Sequence, residues 1–246
     1  MTPPEKIAQI RQIISPAYVG SGIFGLRDPA RPLPPGLQRG EDSHLAYLTL
    51  VYAISWGREP QQLWQSAAQT HASDPEIFNL KFLAYANPKD LITRLSTFKL
   101  IKKIKTDATV WQRTGQAVVM RASGSLSTLL VDHNYDAAAL QTMLQKNKAT
   151  FPVLSGKQTA PRWLHGLATA GAQPIIGSAN MPVPPSPAAQ KAMQSLHLNG
   201  STLPADLFAP LDQLGAIGCK PNQRGTSTCK AHLQCPVSIH CQFSPQ

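Results

Sequence analysis

The 246-residue chain is short of acid and of charge overall, and each shortage narrows what it can be. Asp and Glu number 13 against 23 Lys and Arg, so a formal charge of +10 and a pI near 9.7 arise in a chain only 15% charged. The excess is one of sign and not of abundance, which favours a polyanion as partner, because neutralised phosphates release counterions. Nucleic acid is the first candidate and an acidic membrane surface the second. No stretch approaches the roughly 18 uninterrupted apolar residues of a membrane span, and MTPPEKIAQIRQIIS at the N-terminus has no signal-peptide core. A cytoplasmic protein with no membrane association is therefore expected. Period-2 strand patterns and repeats at fixed spacing are also missing, which leaves helix as the building element.

What is present supports a core, since 42% of the residues are hydrophobic, enough for one large domain or two lobes folded together. Residues 1–15 read as a short amphipathic helix. The stretch SPAYVGSGIFGLRDPARPLPPGLQRG (15–40) is too rich in Gly and Pro for regular structure and reads as a wrapping arm or linker. From Ser43 onward the punctuation is helical. SHLAYLTLVYAISW (43–56) carries an N-cap serine and is apolar on nearly all sides, the mark of a central buried helix. EPQQLWQSAAQTH follows, then DPEIFNLKFLAYA with Asp74 as cap and Pro75 at the first helical position, a start that Asn87 and Pro88 repeat. Further helices are expected over 106–122, in SLSTLLVDH and YDAAALQTMLQKN, and over 156–170, 186–198 and 203–217. The expectation is an all-α fold of about ten helices, divided into an N-terminal helix and arm (1–42), a helical domain (43–218) and a four-cysteine loop (219–246).

Four places carry chemistry. In PVLSGKQTAPRWLHGL (152–167) a tight turn at Ser155-Gly156 opens a helix on Lys157, and such a turn aims backbone N–H groups and a helix's positive end at a phosphate. The run RLSTFKLIKKIK (94–105) places Lys99, Lys102 and Lys103 on one face at helical spacing, as a solvated face or as a surface that tracks phosphates. Trp56, Gly57 and Arg58 follow the buried helix, where an aromatic and an arginine suit base stacking and phosphate contact, while core packing is the other reading of Trp56. Cys219, Cys229, Cys235 and Cys241 form C-x9-C-x5-C-x5-C within the last stretch of chain, and four thiolates suit a [4Fe-4S] cluster or a tetrahedral zinc. Disulfides are disfavoured in the expected compartment.

The order LSGKQTA (154–160), MPVPPSPAAQKA (181–192), LDQLGAIGC (211–219) and CPVSIHC (235–241) resembles the helix-hairpin-helix DNA glycosylases related to endonuclease III and the adenine glycosylases, over about residues 43–241. The resemblance implies a two-lobed helical array closed by a cysteine loop, double-stranded DNA as partner to a monomer, and base-excision repair chemistry in which a damaged or modified base is extruded and its N-glycosidic bond cleaved. It also implies a phosphate contact by Ser155, Gly156, Lys157 and Thr159. The family's aspartate, which stabilises the cationic sugar, falls on Ser186 when the family's arginine is matched to Lys191. The family's Schiff-base lysine falls on Gln158, with Lys157 one place earlier. Because serine carries no charge, a non-catalytic DNA-binding relative is the alternative expectation. Asp132, Asp136 and Glu59 are the candidate replacement carboxylates, while Asp136 also reads as an N-cap and Asp132 as a helix-end residue. The last interval of the cysteine pattern agrees with the family's cluster spacing, which favours the cluster over zinc.

Overall fold

The computed structural model describes residues 3–19, 33–198, 200–217, 219 and 235–241. It is all-α, with eleven α-helices among the described residues and one pair of two-residue strands. None of these helices is long and apolar enough to cross a membrane. Chain contacts divide it into two compact units, one made of residues 30–178 and the other of the two ends, 1–29 and 179–246. The expected helical segment 43–218 is thus shared between them.

In the 30–178 unit, α2 (Asp42–Ala53) runs through the middle, with every residue from His44 to Ala53 buried. A helix apolar on all sides is stable only when surrounded, and α3 (Pro60–Ser73), α6 (Ile104–Ala122), α7 (Leu126–Val131) and α9 (Thr159–Thr169) pack against it. Trp111 of α6 and Trp163 of α9 are fully buried beside α2. Their indole N–H groups donate to the Leu50 carbonyl at 2.8 Å and the Thr49 hydroxyl at 2.9 Å, so neither large ring buries an unpaired donor. The cap of α2 falls on Glu41 and not on the expected Ser43, and the helix ends at Ala53, short of Trp56. Asp42 turns away to accept from the Ser127 backbone N–H.

DPEIFNLKFLAYA is not one helix. A 3-10 turn at Pro75–Phe78 gives way to α4 (Leu80–Tyr85), because the Asn79 side chain accepts from Lys81 and Phe82 and starts a new helix. Asp74 caps nothing with its side chain and instead pairs with Arg94. The cap at Asn87 does hold, opening α5 (Pro88–Ser96). Ser125 caps α7, and Asp136 caps α8 (Ala137–Lys146) by accepting from Ala139 at 2.8 Å. Asp132 lies exposed at the end of α7.

In the unit built from the chain ends, α1 (Pro3–Val19) continues past Pro16 into the stretch expected to be irregular, since one proline forfeits a single backbone hydrogen bond. Arg11 reaches Asp206 of α11 (Ala205–Ile217) at 2.7 Å. The sequence shows no strand pattern here, yet Pro182–Val183 (β1) pairs antiparallel with Leu203–Pro204 (β2). These strands bracket α10 (Pro187–Ser195), which lies so close to α11 that a Cβ on Gly215 would fall 1.8 Å from the Ala188 carbonyl oxygen. Only glycine permits that approach.

Candidate nucleic-acid interface

Beyond α2 the chain turns through residues 54–59, with Gly57 at a φ of +67° where a Cβ would face open space, and this loop meets the one between α5 and α6. The basic run is not a helical face. α5 stops at Ser96, Lys99 takes a left-handed φ of 55°, and α6 begins only at Ile104. Lys99, Lys102 and Lys103 therefore stand on a loop. Leu100 and Ile101 are buried one after the other, which a regular helix would place about 100° apart, and the backbone polar groups of the segment find side-chain partners.

Two of those partners fix the loop. Asp107 reaches back over the first turn of α6 to accept from the backbone N–H groups of Lys102 at 2.8 Å and Lys103 at 2.9 Å. Arg58 donates to the carbonyls of Leu100 at 2.5 Å and Lys99 at 3.3 Å, and its guanidinium lies 3.9 Å from the Asp107 carboxylate. Both side chains are only 12% exposed. Burial pulls the Arg58 pKa down and Asp107 opposes that shift, so the carboxylate helps keep the guanidinium charged. The phosphate contact expected of Arg58 is thereby replaced by a clamp that joins the two loops. Asp107 does not stand out in the sequence, where it reads as an ordinary acidic residue in a first helical turn.

The clamp leaves three lysines outward, and Trp56 beside them is 66% exposed. Core packing is thus not its role. The Lys103 ammonium sits 4.7 Å from the centre of its ring, which holds the indole against a cation while leaving most of the ring open. Trp56, Lys99, Lys102 and Lys103 are brought together as one surface, with Arg58 beneath.

The hairpin residues lie elsewhere in the same unit. Between α8 and α9 the chain forms successive turns, with Ser155 donating to the Phe151 carbonyl and Gly156 to that of Val153. α9 begins at Thr159 and not at Lys157, and Gln158 at its N-cap position makes no side-chain cap. Lys157 is exposed, while Ser155 and Thr159 are buried. An exposed lysine next to an uncapped helix start is a suitable phosphate contact.

Ser186 and Lys191 belong to the other unit, on α10. Ser186 caps the helix by accepting from Ala189 at 3.0 Å and donates its own proton to the Asp212 carboxylate of α11. Lys191 is exposed one turn on. Asp212 is likewise unmarked in the sequence. Its signal is Gly215 three residues later, whose missing side chain lets α11 come close enough for the carboxylate to reach α10. Glu59 is occupied as the cap of α3, accepting from Gln61 and Gln62.

Cys219 lies just beyond α11, and Cys235 and Cys241 bracket a 3-10 turn at Ser238–His240, whereas Cys229 falls outside the described residues. Among the described residues no three His, Cys, Asp or Glu side chains gather where a metal ion would be held. The described part of the loop does not by itself assemble a donor set for a cluster or zinc. Compared with known protein families and with curated proteins, the chain matches none.

Proposed function

We propose that the protein binds double-stranded DNA as a base-excision-type protein of the helix-hairpin-helix glycosylase kind, recognising and extruding a damaged or modified base. The observation that carries this reading is the exposed Trp56 against Lys103, on a loop pair that Arg58 and Asp107 hold in shape. An open aromatic face beside fixed cations suits stacking on a base together with phosphate contact. Lys157 at the uncapped start of α9 supports the same partner, as a phosphate clamp on the hairpin. The two-lobed glycosylase arrangement, action as a monomer and a [4Fe-4S] cluster or zinc held by the four cysteines belong to this proposal, and their support is the order and spacing of motifs in the sequence.

Cleavage of the N-glycosidic bond is the second part of the reading, and Asp212 favours it over a binding-only relative. Ser186 alone carries no charge, but the carboxylate bonded to its hydroxyl puts a negative group at the start of α10. A negative group facing the sugar would stabilise the oxocarbenium-like transition state of base loss. The test incubates duplexes carrying a panel of damaged or modified bases with the protein, then treats them with alkali. Strand breaks that disappear in Asp212→Asn support cleavage. Tight, salt-dependent binding with no breaks on any duplex leaves the binding function and removes the enzyme, and no retention of DNA removes both. Visible charge-transfer absorbance in aerobically purified protein separates the cluster from zinc.

A further inference from the structure

A groove of about 660 Å³ runs between the exposed face of α3 and the 97–102 stretch of the basic loop. One wall carries Gln62, Gln65 and Gln69, which recur at helical spacing on a single face of α3. The opposite wall carries Phe98, Lys99 and Lys102. All three glutamines are exposed, and their amides make no hydrogen bond to any described residue. Glu59, the carboxylate in the lining, keeps its charge while it caps α3, and Arg58, Lys99 and Lys102 set three cations against it, so the lining is positive on balance. Arg58 and Asp107 clamp the lysine wall to the loop that leads into α3 and to the first turn of α6.

From this arrangement we infer that the groove binds a short unpaired stretch of nucleic-acid strand, phosphates against Lys99 and Lys102 and base edges against the glutamines. The inference rests on the nucleic-acid reading above and extends its Lys99 and Lys102 surface into a groove for an unpaired strand. A primary amide presents a donor and an acceptor side by side, the pattern that pairs with a base edge. In a duplex the Watson–Crick edges are occupied, whereas unpaired bases offer them freely, and single strands combine such contacts with stacking and a basic wall. Size agrees with that choice. A groove in the range of small-ligand sites, about 300–1,000 Å³, admits a nucleotide or two but no double helix. From Gln62 to Gln69 the helix rises about 10 Å, so the amides are spread along the groove and can meet more than one base edge. Phe98, half-buried on the cationic wall, offers an edge for a base to pack on.

The test measures fluorescence anisotropy of a labelled short single strand and of its duplex, with wild-type protein, with Gln62→Ala/Gln65→Ala/Gln69→Ala and with Lys99→Ala/Lys102→Ala. The glutamines are exposed on a helix where alanine is favourable, and circular dichroism confirms that the triple variant folds. Without the three amides, single-strand binding should weaken about tenfold or more while duplex binding stays unchanged. The lysine variant should weaken single-strand binding and flatten its salt dependence by about 0.7 in log–log slope for each phosphate left unneutralised. Single-strand binding unaltered in the glutamine variant, or reduced in equal proportion with duplex binding, overturns the inference. Wild-type protein that binds duplex but no single strand overturns the inference alone, and protein that binds neither overturns it together with the function proposed above.

Discussion

The flanks of α2 and the loop that follows it treat tryptophan in opposite ways. Trp111 and Trp163 are sealed against the helix with their N–H groups paired, and Trp64 is buried in a ring cluster with Tyr47 and Tyr52. Trp56 has two-thirds of its surface in solvent, and a lysine is its close neighbour. Large aromatic rings favour burial, so an exposed one held beside a cation is available for contact. The comparison separates residues that make the fold from residues that the fold presents, and each half of it can be broken by substitution.

The largest expected effect lies in the core. Trp163→Ala or Trp111→Ala should cost about 3–5 kcal/mol of stability, measured by urea unfolding, because each removes a fully buried ring and strands an acceptor on α2. Trp56→Ala should leave the unfolding midpoint where it is and weaken DNA binding by about 1–3 kcal/mol, the range for one stacked base. Equal stability losses at Trp56 and Trp163 would erase the distinction.

Asp107→Ala stands between these cases, since it removes the acceptor for two backbone N–H groups and the carboxylate beside a largely buried arginine. A stability loss of about 1.5–3 kcal/mol is expected, with a fall in DNA affinity although no phosphate-contacting cation has been removed. Affinity that survives Asp107→Ala would show that the loop needs no clamp.

The smallest effect concerns pH. Burial lowers the pKa of His71 below its ordinary 6.5, and burial followed by the nearby Arg39 does the same for His44, whose ring nitrogen accepts from Gly40. The unfolded chain then binds protons more readily than the folded one. Stability is complete above about pH 6.5 and declines as pH falls below it, by no more than about 1.4 kcal/mol per pH unit for each histidine. His71→Phe, which keeps the ring packing against Tyr47 and Phe78, should flatten that decline.

Helices are legible in the sequence wherever a cap and a period-3.6 apolar face coincide, as at Asn87, Ser125, Asp136 and Ser186. The buried character of α2 is equally plain, since ten consecutive residues leave no polar side. The basic run misleads because lysines spaced for a helix also suit a loop, and the residues that decide between them, Arg58 and Asp107, are distant in sequence from part of what they hold. Asp74 misleads for a similar reason: an aspartate before a proline reads as a cap, but a partner 20 residues away, Arg94, claims it. Asp212 at Ser186 is invisible because it depends on how closely two helices approach, and a single glycine sets that. Local signals thus specify the elements, and long-range side-chain pairing gives the candidate site its shape.

The most direct measurement is the salt dependence of duplex DNA binding by wild-type protein and by Lys99→Ala/Lys102→Ala/Lys103→Ala, followed by anisotropy from about 50 to 200 mM salt. If the clamped loop is the DNA-binding surface, wild-type affinity falls linearly in log–log form, and the variant's slope is shallower by about 0.9 for each phosphate that the missing lysines no longer neutralise. Absence of binding, or a slope that the three substitutions leave unchanged, would contradict the account.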